Sequence, residues 1–244
     1  MNYRPALNMP PVVKNLILAN ALFYLATVVL QQAGIDLYQY LGLYFPASDH
    51  FRLHQFFTHM FMHGSITHIF FNMFALYMFG RVLESVWGPK RFLTFYLITG
   101  LGAAALHTLV NYIEYQSVLN KMTPENIATV KEMGSRIYSE GKNFTDPLMG
   151  KLNMILNTPT VGASGAVFGI LLGFGMLFPN TQLMLLFPPI PIKAKYFVIG
   201  YGVLELVLGI SQPGSNVAHF AHIGGMLFGY IMIRYWNKNT KNFY

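Results

Sequence analysis

The sequence predicts an all-α, polytopic membrane protein built as a bundle of six transmembrane helices. Three observations carry that prediction. Of 244 residues, 54% are hydrophobic and 10% charged, with positive mean hydropathy, a balance far more apolar than a water-soluble domain needs. Apolar windows of bilayer length, about 20 residues at ~1.5 Å each, recur six times. The sixteen Lys and Arg, against nine Asp and Glu, are scattered singly or in pairs, so the formal charge of +7 marks topology and no nucleic-acid partner is expected. Cysteine is absent, which removes disulfides, thiolate metal sites and a cysteine nucleophile.

The first window is 13–32. No small-residue cleavage site follows it, so it is expected to be a retained helix and not a signal peptide. Gly64-Ser65 caps the second, 66–86, and Gly88-Pro89 divides it from the third, 91–113. A connection over 114–158 follows as an outer-loop insertion, with a helix-permissive stretch from Pro124 to Gly141 that reads as polar and solvated. The fourth window, 161–179, opens on Gly162-Ala163-Ser164-Gly165-Ala166. Pro188-Pro189 with Pro191 breaks the chain before the fifth, 194–211. The sixth, 217–235, carries His219 and His222 near its start, then Gly225 and Gly229. No internal repeat is evident, and one membrane domain over 1–244 is expected.

Alternate short connections differ in basic residues, which orients the bundle. One side holds Arg4 and Lys14, then Arg81, Lys90 and Arg91, then Lys193 and Lys195, then Arg234, Lys238 and Lys241; the other holds Arg52. Both termini are therefore expected in the cytoplasm. The connection 114–158 lies outside, since long loops cross with little regard to charge. Helices two, four and six then enter from the outer face. Ser164 and His222 sit roughly 5–10 Å below that boundary, and His68 and Asn72 roughly 4–10 Å, at ~1.5 Å per residue. Polar groups from three helices sharing one layer imply a shared cavity, and intramembrane polar groups are functional suspects.

The chemistry follows from residue type. A serine hydroxyl attacks a carbonyl only when a base takes its proton, and histidine is the usual base. Ser164 and His222 are the candidate pair. His222, Gly225 and Gly229 are spaced i, i+3, i+7, which places the histidine on the small-residue face that would meet Gly165, Gly169 and Gly173. His219, about 60° around the helix, is the weaker base candidate. The oxyanion needs fixed donors, for which the Asn72 amide, the His68 ring N–H and the Ser164 main-chain N–H are candidates. A Ser-His dyad is the simplest reading. Glu205, the sole acid well inside a helix, either orients a histidine or is a structural partner.

Bland readings stand beside these. A glycine-flanked serine is common packing in membrane helices, and an intramembrane histidine is often only a hydrogen-bonded structural residue. His54, His59, His63 and His68 have spacing that could suit a metal, but neighbouring helices supply no carboxylates or histidine pairs for that face. No metal is expected.

Taken together, the motifs resemble those of rhomboid intramembrane serine proteases over nearly the whole chain. His63-(x)4-His68-(x)3-Asn72 is similar to the family's helix-two signature, and Phe79-Gly80-Arg81 with Glu84 and Gly88 to its following turn. Gly162-Ala163-Ser164-Gly165 resembles the nucleophile motif, and Ala221-His222-(x)2-Gly225-(x)3-Gly229 the base motif. The resemblance implies Ser164 as nucleophile, His222 as base, His68 and Asn72 as oxyanion donors, and Phe168 as the aromatic packed on the histidine. It implies a six-helix bundle that cleaves single-pass transmembrane proteins in the bilayer without cofactor, substrate entering beside helices two and five. A compact bacterial type in the inner membrane, its active site near the outer face, is expected. The alternative is a catalytically silent rhomboid-like protein that escorts membrane clients. Two departures are visible. His54-Gln55 stands where many relatives have Trp-Arg, and the connection 114–158 is long.

Overall fold

The computed structural model describes residues 9–184, 189–211 and 218–239. Arg4, Pro188, Val217 and Lys241, which entered the topology reading, lie outside the described residues. Helix α1 spans Pro11–Gln32, and the first loop holds the short helices α2 (Leu37–Leu41) and α3 (Gln55–Thr58). Helix α4 (Ile66–Ala75) passes through a π turn at Leu76–Gly80 into α5 (Arg81–Trp87), and α6 runs from Pro89 to Leu119. Then come α7 (Pro124–Ser139), α8 (Pro147–Asn157) and α9 (Ser164–Leu177). A small antiparallel pair, β1 (Gln182–Met184) and β2 (Pro191–Lys193), precedes α10 (Ala194–Ser211) and α11 (His219–Asn239). The all-α membrane bundle holds, apart from this ribbon and an isolated bridge between Leu43 and Thr160.

Four of the six expected spans are long and apolar enough to cross a membrane: Pro11–Gln32, Ile66–Trp87, Pro89–Leu119 and Ala194–Ser211. The other two, α9 and α11, are the central pair. Helix α9 has 14 residues, nine of them buried from Gly165 to Gly175, and α11 packs along both α6 and α9. Helix α9 has no exposed residue and so needs less length than a helix that faces lipid, whereas the 21-residue α11 buries one side and exposes Leu227, Tyr230, Ile231 and Tyr235 on the other. Lipid is as apolar as leucine, so close packing and not burial from water draws this pair together.

Two boundaries and the environment of one helix differ from the sequence reading. Helix α6 continues past 113 to Leu119, because Tyr115 and Val118 bury against Phe45 of the first loop, Val130 of α7 and Leu152 and Leu156 of α8. The insertion is thus a packed hairpin. Helix α7 is not solvated all round, since Val130 and Gly134 are buried on its inner side. Helix α9 starts at Ser164 and not at 161, because Gly162 has φ +126°, outside the helical region.

The main core lies deeper, where Leu76, Leu83, Phe92, Phe95, Tyr96, Ile170 and Phe174 meet. Buried Glu84 ties α5 to the start of α1. Its two carboxylate oxygens accept the main-chain N–H groups of Val12 at 2.9 Å and Val13 at 2.8 Å. Those are among the donors that a helix N-terminus leaves without partners, and the carboxylate also suits the positive end of the helix.

Candidate active site

Ser164 is the first residue of α9, so its main-chain N–H has no acceptor within the helix. Its hydroxyl meets His222 of α11, with Nε2 and Oγ 2.9 Å apart. The contact depends on glycine. A Cβ on Gly225 would overlap the carbonyl of Gly165, and one on Gly229 would lie 3.4 Å from Gly169 Cα. The backbones of α9 and α11 therefore touch, as the small-residue spacing predicts.

Phe168, one turn along α9 from Ser164, stacks on the His222 ring with centroids 4.1 Å apart and planes within 7°. This flat contact fixes the ring plane. On the opposite edge, His222 Nδ1 lies 2.9 Å from Glu205 Oε2 of α10, and the same oxygen takes a 2.7 Å hydrogen bond with His219 Nδ1. His219 does not reach the serine. It holds the carboxylate instead, which separates the two histidines more sharply than helical angle could.

The remaining candidates come from α4 and its approach. Ser65 caps α4, its hydroxyl accepting the His68 main-chain N–H at 3.1 Å. His68 Nδ1 accepts the Gly64 main-chain N–H at 3.4 Å, which leaves the ring proton on Nε2. That nitrogen faces Gly162, where an added Cβ would lie 2.8 Å from it and 3.6 Å from Ser164 Oγ. Asn72 donates one amide N–H to the His68 carbonyl at 3.0 Å, leaving its second free to serve the cavity. His63, fully buried, packs edge-on against His68 with centroids 5.0 Å apart.

Ser164, His222, His68, Asn72 and Phe168 all line one open cavity of about 1250 Å³. Phe71 and Phe74 of α4 form one flank, Phe197 and Tyr201 of α10 the other. Met154 and Ile155 of α8 also line it, a contribution of the insertion that no sequence signal indicated. The first-loop histidines do not gather as a metal set: His59 Nδ1 bonds the Gln55 carbonyl at 2.9 Å and His54 Nε2 the Tyr40 carbonyl at 2.9 Å.

Comparison with known proteins shows the family to which the chain belongs. The Rhomboid domain family matches residues 50–238. The RHOMBOID-like protein 12, mitochondrial, of Arabidopsis thaliana is 31% identical over 219 residues, which cover 88% of this chain and 55% of that protein. The rhomboid protease AarA of Providencia stuartii is 28% identical over 177 residues, 70% of this chain and 51% of its own length. Rhomboid protein 1, mitochondrial, of Saccharomyces cerevisiae is 25% identical over 181 residues, 74% and 41% respectively. The chain thus spans about half the length of the curated relatives it matches.

Proposed function

The chain belongs to the rhomboid family, and from that premise we propose that it is an intramembrane serine endopeptidase acting through Ser164 and His222. The observation that carries the reading is the 2.9 Å contact between Ser164 Oγ and His222 Nε2 inside an open, partly apolar cavity. As substrate carbonyl carbon approaches, Oγ forms a bond to it and its proton passes to Nε2. The negative charge moves to the carbonyl oxygen, within reach of donors from Ser164 main-chain N–H, His68 Nε2–H and the second Asn72 N–H. Collapse breaks the C–N bond, and Nε2 returns the proton to the leaving amine. Water then repeats the sequence on the acyl-serine.

The substrate class is a single-pass transmembrane segment. The aromatic flanks on α4 and α10 suit an apolar chain entering sideways from lipid, while the polar floor would receive its unwound peptide bonds. No cofactor takes part in these steps. The protein is an integral membrane protein, and the distribution of basic residues supports cytoplasmic termini with the site near the opposite face. The bacterial inner membrane expected from sequence gains no support from the relatives, whose names include mitochondrial ones, and we do not carry it forward.

The test is cleavage of single-pass reporters by purified protein in vesicles, with product masses locating the bond. Ser164→Ala and His222→Ala should each abolish cleavage, and a fluorophosphonate should label the wild type at Ser164 alone. An unlabelled, inactive wild type would instead indicate a silent client-binding rhomboid, and cleavage retained in Ser164→Ala would sink the assignment.

A further inference from the structure

Glu205 has no place in a Ser-His dyad, yet it is the most committed residue on its helix. Only Ala194, Val198 and Glu205 are buried on α10, whose other side exposes Ile199, Val203, Leu206 and Ile210. A carboxylate in such a helix requires partners, and an intramembrane acid is a functional suspect whose partner must be named. Here there are two. Oε2 accepts a directed hydrogen bond from His219 Nδ1 at 2.7 Å, and His222 Nδ1 lies 2.9 Å from the same atom. The second contact lies off the ring N–H axis, so it is a close approach rather than a straight hydrogen bond, and His222 Nδ1 has no other acceptor.

We propose that Glu205 is the positioning residue for His222, making the machinery a Ser164–His222–Glu205 line steadied from behind by His219. This rests on the protease reading above. For Nε2 to accept the serine proton, the neutral His222 must carry its own proton on Nδ1. A carboxylate 2.9 Å from Nδ1 selects that tautomer and then faces the imidazolium formed when the serine proton arrives. The proton moves from Ser164 Oγ to His222 Nε2 and no further; Glu205 stays ionised and sheds nothing. Phe168 fixes the plane of the ring and Glu205 its rotation within that plane. A small turn of the carboxylate would straighten the His222 contact, as catalytic hydrogen bonds often do once substrate is bound.

The same three side chains invite a metal reading, since their donor atoms lie within 4.8 Å of one another. The geometry points away from it. Glu205 Oε2 lies 2.7 and 2.9 Å from the two Nδ1 atoms, distances shorter than the roughly 3.3 Å that two donors about 2 Å from one tetrahedral ion would keep. A metal on Nδ1 would also drive the ring proton to Nε2, leaving His222 unable to accept from serine.

The test uses purified full-length protein in vesicles with the reporter found by the experiment above. Glu205→Gln keeps the shape and removes the charge. It should lower kcat, and the rate of fluorophosphonate labelling at Ser164, by about tenfold or more while KM stays within about twofold. His219→Asn removes the carboxylate's other partner and should cost kcat less than Glu205→Gln does. Should Glu205→Gln fail to fold, Glu205→Asp carries the test, because it keeps the charge but withdraws it by one methylene and should lower kcat severalfold at constant KM. Glu205→Gln at wild-type kcat, activity losses that merely track the folded fraction, or a larger kcat loss in His219→Asn would each overturn the proposal. A wild type that neither cleaves nor is labelled would show that the protease reading itself had failed, whereas active wild type with an indifferent Glu205 leaves a plain dyad.

Discussion

At Gly162 two demands fall on one residue. Its φ of +126° is open to glycine and strained for any L side chain, and a Cβ there would lie 2.8 Å from His68 Cε1 and Nε2. Gly162→Ala should therefore strain the turn by about 1–3 kcal/mol and push His68 away from Ser164. We expect folded protein whose labelling by a fluorophosphonate, measured as a rate, falls by about tenfold or more; labelling at wild-type rate would show that His68 has no need of that approach. Asn72 makes a milder case, because its amide already spends one N–H on the His68 carbonyl at 3.0 Å. Asn72→Ala should lower kcat by roughly a hundredfold, the low end of the range for loss of one oxyanion donor, with KM nearly constant in steady-state cleavage assays.

Helices α9 and α11 carry Ser164 and His222 between them, so their separation sets whether serine and histidine meet. Gly225→Ala would place a methyl within the Gly165 carbonyl, and the helices must part. Both melting temperature and cleavage should fall, whereas Gly200→Ala on α10, with nothing within 4 Å, should leave the melting temperature unchanged or slightly raised. Equal behaviour of the two variants would refute the packing role. This small-residue face was legible in sequence because the i, i+4 spacing of glycines survives folding unchanged. Other elements were less so. Hydropathy marks where lipid ends, and α6 goes on for a further turn and a half because Tyr115 and Val118 find protein there instead. Helix α8 escaped notice since a short amphipathic helix of 11 residues looks like loop until its partners are known. Ser164, His222, His68 and Asn72 were readable as a group from their common depth. The contact of Glu205 with His222 was not, because residue spacing cannot say how α10 rotates against α11.

The molecule as a whole is built in two layers, a deep core between α1, α5, α6 and α9 and an outer layer in which the first loop meets α7 and α8. Histidines buried in that first loop make the whole fold sensitive to acid. His59 is 5% exposed and its Nδ1 bonds the Gln55 carbonyl at 2.9 Å; burial, opposed only in part by that bond, pushes its pKa down to about 4. His63 is likewise pushed down to about 4, first by burial and then by the neighbouring charge of His68. An unfolded chain would protonate both near 6.5. Between that value and about 4 the unfolded state holds more protons than the folded one, so folding free energy falls as pH falls across this window. For His59 alone the full loss is roughly 3 kcal/mol at the acid end. Melting temperatures of the purified protein in detergent should therefore begin to drop below about pH 6.5, before the surface carboxylates titrate. Replacing the buried ring with a side chain that cannot ionise, as in His59→Asn, should lower stability at neutral pH but flatten its decline between pH 6.5 and 5. A decline as steep in the variant as in the wild type would place the acid sensitivity elsewhere in the fold.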